Sequence, residues 1–286
     1  MYTPDYYPNF RCIAGKCKHS CCIGWDICTD DRTAAFYLTK EDLKPHICRE
    51  EDGWHIRLCQ DGRCPFLNAD NLCSVILKYG EQAISQICTD HPRFQNVFEN
   101  HTEAGLGLCC EAVCDLILNK TEPVCFASPD LSALSDREHA FYTLRTELMN
   151  MAQDRTQPIE VRMQNILDRC HIALPERTDE QYKELFSGLE RLDPAWDKKI
   201  ASFKTKTVPP AFEIAAEQLL VYFLYRHTPG GLEDGMYVER IAFAVLSTRA
   251  VVAMTECDFL ETARMYSAEI EYSEPNTNAL LLATRK

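Results

Sequence analysis

Cys12, Cys17, Cys21 and Cys22 stand close together near the start of the chain, spaced CxxxxCxxxCC and followed by Gly24-Trp25. Intervals of three or four residues form turns that let several sulfurs converge on one site, whereas adjacent cysteines cannot both face one tetrahedral ion without distortion. Cys21 and Cys22 can therefore serve different sites. A second group, Cys64, Cys73 and Cys88, runs on into Thr89-Asp90-His91-Pro92-Arg93, and a third is Cys109, Cys110 and Cys114. The chemistry this predicts is metal binding by thiolate, and four thiolates suit either zinc or an iron-sulfur cluster. The isolated Cys170 and Cys257 read as small buried hydrophobes, and Cys28, Cys48, Cys59 and Cys125 fall between the two readings. His91, beside Cys88 and followed by Pro92, is either a ligand, a donor that orients one, or a plain turn residue.

Of 16 cysteines in 286 residues, 14 lie by Cys125, so the chain divides into a cysteine-dense part and an ordinary one. The expected division is 1–126, a cysteine-rich metal or iron-sulfur domain, and 127–286, an all-α domain; the segment Phe126 to Leu134, with Pro129 and Ser128, is the expected boundary. Residues 1–10 show neither a basic region nor an apolar one of the kind a secretory leader carries, which predicts a cytoplasmic, reducing setting where thiols bind metal rather than pair. The longest apolar run, Leu219 to Tyr225, is too short to cross a bilayer, so no membrane partner is expected. The net charge of -13 is shared by both parts, and neither has the basic surplus that phosphate contacts demand, which excludes nucleic acid as the expected partner.

The elements that must position these residues are short in the first part. Spacing predicts a helix from Ser74 to Gln86, another from Ala112 to Leu118, and a strand near His55 to Leu58. From Ser135 the pattern is helical throughout. Ser135 with Glu138 forms a capping box before a helix from Asp136 to Ala152, Pro158 opens one through Cys170, and Thr178 with Gln181 marks a third. Pro194 opens a short helix, Pro209 and Pro210 precede an apolar one to His227, and two long ones are expected over Asp234 to Glu256 and Asp258 to Tyr272. The fold class is mainly α, a small cysteine-rich metal-binding domain with an all-α bundle.

The runs YYPNFRCIAGKCKHSCCIGWDICTD, CPFLNADNLCSVILKYGEQAISQICTDHPR and LCCEAVCDLIL, with Glu217-Gln-Leu-Leu-Val-Tyr-Phe and Tyr266-Ser-Ala-Glu-Ile-Glu-Tyr-Ser more loosely, resemble the flagellin lysine N-methylase family, within a wider group of cysteine-rich zinc- or iron-chelating proteins. The resemblance implies eight ligands: Cys12, Cys17, Cys21, Cys22, Cys64, Cys73, Cys88 and Cys110. Cys28, Cys48, Cys59, Cys109, Cys114 and Cys125 are additional to the family pattern. It further implies a metal centre, 4Fe-4S preferred and zinc the alternative, and S-adenosylmethionine-dependent N-methylation of surface lysines on flagellin. A non-enzymatic iron- or zinc-chelating or metal-sensing protein, whose helices dock a partner, is the alternative; an iron-sulfur electron carrier is a weaker one.

No glycine-rich turn lies between a strand and a helix, so a Rossmann-like cofactor site is not expected. A radical CxxxCxxC motif also fails, because its third position falls on Gly24. Methylating a lysine requires a neutral amine, in-line geometry and a proton acceptor. Glu217, in an apolar helix, is one candidate; as a structural residue it would instead pair with Arg226, Arg240 or Arg249. Tyr222, five residues on, lies on another face. Tyr266, Glu269 and Glu271 form a second polar group, of which Tyr266 and Glu269 are candidates; as a structural feature they would be a solvated helix face.

Overall fold

The structure, a computed structural model, describes residues 1–285 apart from Ser128, Leu131 and Ala133; those three, within the expected boundary segment, and Lys286 lie outside the described residues. The chain is mainly α, as its pattern predicts, and divides into two compact units. One comprises Arg11–Phe94 with Cys110–Ala112; the other comprises Met1–Phe10, Gln95–Cys109 and the chain from Val113 onward. The division expected at 126/127 assigned residues 1–10, 95–109 and 113–126 to the cysteine-rich part, whereas their contacts group them with the helices.

In the cysteine-rich unit, β1 (Cys28–Thr29) leads into α1 (Asp31–Leu38), then β2 (Ile47–Arg49) and β3 (Trp54–Ile56). The strands make an antiparallel sheet in the order β1-β3-β2, with His55 opposite Cys28 on one side and Cys48 on the other. Directly paired residues project to the same face, so these three side chains form one row. The expected strand over His55 to Leu58 starts one residue earlier and ends at Ile56, shortly before the turn in which Gly62 N–H donates to the Cys59 carbonyl.

Asp30 caps α1 by accepting from Thr33 N–H at 3.0 Å, and its other oxygen accepts from Gln86 N–H at 3.0 Å, at the start of a later helix. Burial would raise the pKa of this carboxyl, but these bonds hold it below its ordinary value. The helix expected over Ser74 to Gln86 is instead two helices, α2 (Ser74–Tyr79) and α3 (Gln86–Asp90). Gly80, at φ +87°, breaks the run by adopting a conformation that a side chain would disfavour. Around Ile27, Ala34, Tyr37, Ile56, Phe66 and Val75 the unit builds its own core.

The second unit contains most of β4 (Arg93–Val97), the whole of β5 (Thr102–Leu106), and α4 (Glu111–Leu118) from Val113. Tyr2 joins β5 by donating to the Thr102 carbonyl and accepting from Ala104 N–H, each at 2.9 Å, and Leu106, Leu108, Val113 and Ile117 are fully buried. These contacts, local to the unit, are why the start of the chain groups with the helices.

Every described element after Ser135 is helical: α5 (Asp136–Ala152), α6 (Ile159–Arg169), α7 (Asp179–Ser187), α8 (Trp196–Ala201), α9 (Glu213–His227), α10 (Gly231–Asp234), α11 (Tyr237–Met254), α12 (Phe259–Tyr266) with a π-turn over Ser267–Glu271, and α13 (Glu274–Ala283). The capping boxes of Ser135/Glu138 and Thr178/Gln181 both form. Asp234 ends a short helix rather than opening the long one, because Gly235 at φ +73° turns the chain first. Sequence reading missed α13, which Ser273 caps. α9 is buried on all sides from Ala215 to Tyr225 and packs against α5, α6 and α11, as an all-round apolar helix must. No helix among the described residues is long and apolar enough to cross a membrane.

Candidate metal centre

The eight cysteines implied by the resemblance all lie in the cysteine-rich unit, and their surroundings sort them into two sets of four. Cys64 is buried in the core, and Cys22, Cys73 and Cys88 pack against that core. Cys64 N–H donates to the Cys22 carbonyl at 2.8 Å, and Cys73 pairs with Leu67, three residues beyond Cys64. Burial pushes the Cys64 thiol up to about 12, with Cys22, Cys73 and Cys88 as its neighbouring thiols.

Cys12, Cys17, Cys21 and Cys110 form the other set. Cys17 is neighbour to Cys110, and Cys21 to Cys12 and Cys110. Glu111 holds this set together: one carboxylate oxygen accepts from Lys18 N–H at 2.8 Å and from the Cys17 thiol at 3.6 Å, next to Cys110 in sequence. Gly15 allows the Cys12–Cys17 turn to lie against residues 70–72; a Cβ there would come within 2.6 Å of the Asp70 carbonyl oxygen.

The sets meet at Cys21 and Cys22. The Cys21 thiol bonds to Cys22, which lowers the Cys22 thiol to about 7 and raises its own, with Ser20 and Arg63 lowering Cys22 further. The Trp25 indole N–H donates to the Cys21 carbonyl. Burial pushes Cys17 up to about 11, so metal uptake there displaces a proton. The donors fit a thiolate-held group in type and number. A single zinc ion at its usual bond length draws four sulfurs to about 3.8 Å from one another. Among the described residues, the groups of three ligand atoms lying within 4.8 Å of one another are Asp26, Cys28 and His55, and Glu50, Asp52 and His55; no three of the eight sulfurs are that close.

Of the remaining cysteines, Cys114 is buried and donates to the Leu108 carbonyl at 2.9 Å. Cys257, expected in the core, is exposed, because it falls in the loop between α11 and the Asp258 cap of α12; Cys170, at the end of α6, is half-buried. His91 lies 5.8 Å from the Trp25 ring, and burial lowers its pKa.

The three polar candidates of the helical unit are each fully buried and each has different partners. Glu217 accepts from Arg155 at 2.7–3.1 Å and from Arg162 at 2.6 Å, not from Arg226, Arg240 or Arg249. Tyr266 donates to Ser247 at 2.9 Å, and Glu269 accepts the backbone N–H groups of Leu192 at 2.9 Å and Asp193 at 2.6 Å. Burial raises the Glu269 carboxyl above its ordinary value. The solvated helix face expected here is absent: the wider π-turn over Ser267–Glu271 carries Glu269 to one neighbour and Glu271 to another, both inside the unit. Tyr266→Phe leaves the Ser247 hydroxyl short of one partner and is expected to cost about 1 kcal/mol, measured by urea unfolding.

Sequence reading also missed the polar cluster around Glu271. Its carboxylate accepts from Tyr222 at 2.8 Å, bonds His227 at 2.6 Å and lies 3.2 Å from Arg226, whose guanidinium donates to the Tyr222 hydroxyl at 2.8 Å. Burial alone would raise Glu271, but Arg226 and His227 outweigh it and hold the carboxyl below its ordinary value. The available signal was Tyr222 and Arg226, four apart on α9 and so neighbours.

No family model and no solved structure matches the chain. Two proteins named lysine-N-methylase, from Salmonella choleraesuis (strain SC-B67) and Salmonella typhimurium (strain LT2), are each 31% identical to it over 163 residues, 53% of this chain and 39% of theirs. The chain thus spans about two fifths of the length of those relatives. The flagellar biosynthetic protein FliU of Salmonella muenchen is 30% identical over 146 residues, 47% of this chain and 82% of FliU. With so much of FliU matched at that identity, the chain belongs to the flagellar family of FliU and the lysine-N-methylases.

Proposed function

We propose that this protein takes part in S-adenosylmethionine-dependent N-methylation of surface lysines on flagellin, in the cytoplasm, with a cysteine-held iron-sulfur centre. The names of its relatives support the lysine chemistry and the flagellar substrate. The observation that carries the metal reading is the gathering of all eight family-pattern cysteines into one unit, in two sets of four. Thiolate donors suit either a 4Fe-4S cluster or zinc, and the resemblance to the family is what favours the cluster. Cys22, Cys64, Cys73 and Cys88 would hold one group, and Cys12, Cys17, Cys21 and Cys110 another. When bound, such a group supplies structural cross-linking of short elements or a charged platform for a cofactor.

In the reaction, the lysine nitrogen forms a bond to the methyl carbon as the sulfonium–carbon bond breaks; S-adenosylhomocysteine leaves and one proton passes to a base. Glu217 and Glu269 are the proposed acceptors, with the Tyr266 hydroxyl, which burial makes a weaker acid, proposed beside them as a hydrogen-bonding group. Because each is fully buried and already bonded, that role requires substrate to displace one of those partners. The same burial favours the second reading, a non-enzymatic iron- or zinc-chelating or metal-sensing protein with a partner-docking helical unit.

Anaerobically prepared protein, incubated with labelled S-adenosylmethionine and flagellin, is expected to yield methyl-lysine. No lysine methylation by fully metal-loaded protein overturns the enzyme reading. A brown preparation is expected for the iron-sulfur centre; a colourless one holding stoichiometric zinc overturns it.

A further inference from the structure

The three-stranded sheet of the cysteine-rich unit presents a second kind of ligand set, made of residues outside the eight cysteines. Its register places Cys28 beside His55. The loop before β1 adds Asp26, and the β2–β3 turn adds Asp52. His55 is almost wholly buried, at 2% exposure, while Asp26, Cys28 and Asp52 around it are exposed. A cavity of about 490 Å³ lined by Asp26, Cys48, Glu50, His55 and Arg57 opens beside them.

We propose that Asp26, Cys28 and His55 bind a divalent cation of the zinc class through one oxygen, one sulfur and one nitrogen. His55 Nδ1 lies 2.9 Å from Asp26 Oδ1 and 3.8 Å from Cys28 Sγ, and Cys28 Sγ lies 4.0 Å from Asp26 Oδ2. On the far side of the ring, Nε2 is 3.0 Å from Asp52 Oδ1. A carboxylate in that position accepts the Nε2 proton, orients the ring and makes Nδ1 the better donor once a cation takes the place of a proton there. The mixed sulfur, nitrogen and oxygen set suits a borderline ion such as Zn²⁺, and three protein ligands leave a fourth position for water. Cys48, on the other flank of His55, has its thiol near the Glu50 carboxylate at 3.7 Å and the His55 carbonyl at 3.6 Å, and so stands outside the set. Without a cation, Asp26 and Asp52 flank the two ring nitrogens of His55, so a cation and a proton compete for Nδ1.

The two states are separable by stoichiometry. Full-length protein, prepared anaerobically, would be saturated with Zn²⁺, dialysed and assayed for metal per chain as wild type, Asp26→Asn, Cys28→Ser, and Cys59→Ser as an exposed control. Asp26→Asn and Cys28→Ser are each expected to retain one Zn²⁺ fewer than wild type, and Cys59→Ser to match wild type. Both ligand residues are exposed, so these variants are expected to fold; circular dichroism checks that. Equal metal content in wild type and the two ligand variants overturns the site, as does an equal loss in Cys59→Ser. The imidazole of His55 provides a second readout by nitrogen NMR: Zn²⁺ is expected to remove the Nδ1 proton and leave the Nε2 proton in place. A ring still protonated at both nitrogens under excess Zn²⁺ overturns the proposal. Neither measurement depends on methyl transfer.

Discussion

Cys73→Ser is expected to abolish metal retention by the set of Cys22, Cys64, Cys73 and Cys88 while leaving that of Cys12, Cys17, Cys21 and Cys110, and Cys17→Ser is expected to do the reverse. The physical basis is the partition around Cys21 and Cys22. Cys22 packs with Cys73 and Cys88 against the core that buries Cys64, whereas Cys21 has Cys12 and Cys110 as neighbours. A serine oxygen is a poor replacement for a thiolate at a soft metal, so one substitution opens one set. The effect on folding is expected to be unequal. The Cys73 set includes a core residue of the unit, so its loss should lower the melting temperature more than loss of the more exposed Cys17 set. Metal analysis and thermal unfolding of the two variants and their double mutant provide the check. If each single variant loses all the metal, the eight cysteines form one site; if neither loses any, the ligand set is wrong.

Glu217→Ala is expected to destabilise the helical unit by about 3–5 kcal/mol, the usual cost of breaking a buried ion pair from one side. Glu217 is fully buried on α9, and Arg162, 2% exposed, donates to it at 2.6 Å while Arg155 approaches it bidentately. Removing the carboxylate leaves Arg162 with Glu213 at 3.0 Å and the Ala152 carbonyl at 2.7 Å, too little to offset a desolvated guanidinium. For a chain of this size that loss corresponds to a fall in melting temperature on the order of 10 °C. Replacing the whole cluster, Glu217→Leu with Arg155→Leu and Arg162→Met, is expected to recover most of the loss, because a packed apolar core has no charge to desolvate. A Glu217→Ala protein as stable as wild type would show that the ion cluster holds nothing together. If it is stable but fails to methylate, Glu217 acts on substrate.

Much of this architecture is legible from local pattern. The capping boxes at Ser135 and Thr178 form because each needs only residues three apart. Gly80 and Gly235 are harder. A glycine in a helical pattern is tolerable or breaking according to the φ it takes; a positive value at Gly80 splits the expected helix, and one at Gly235 delays the start of the long helix to Tyr237. The π-turn at Ser267–Glu271 has no local signal, so Tyr266, Glu269 and Glu271 read as one face and fold into three separate surroundings.

By itself the sequence determined that thiolates crowd the first part of the chain and that helices follow. Those properties depend on residue type and short spacing. Only the tertiary structure decided which distant cysteines share a set, that Glu217 meets Arg155 and Arg162, and that Asp26, Cys28 and His55 converge across a sheet. These pairings join residues tens of positions apart, and their partners are chosen by how the cores of each unit close, a long-range packing outcome that no local period encodes.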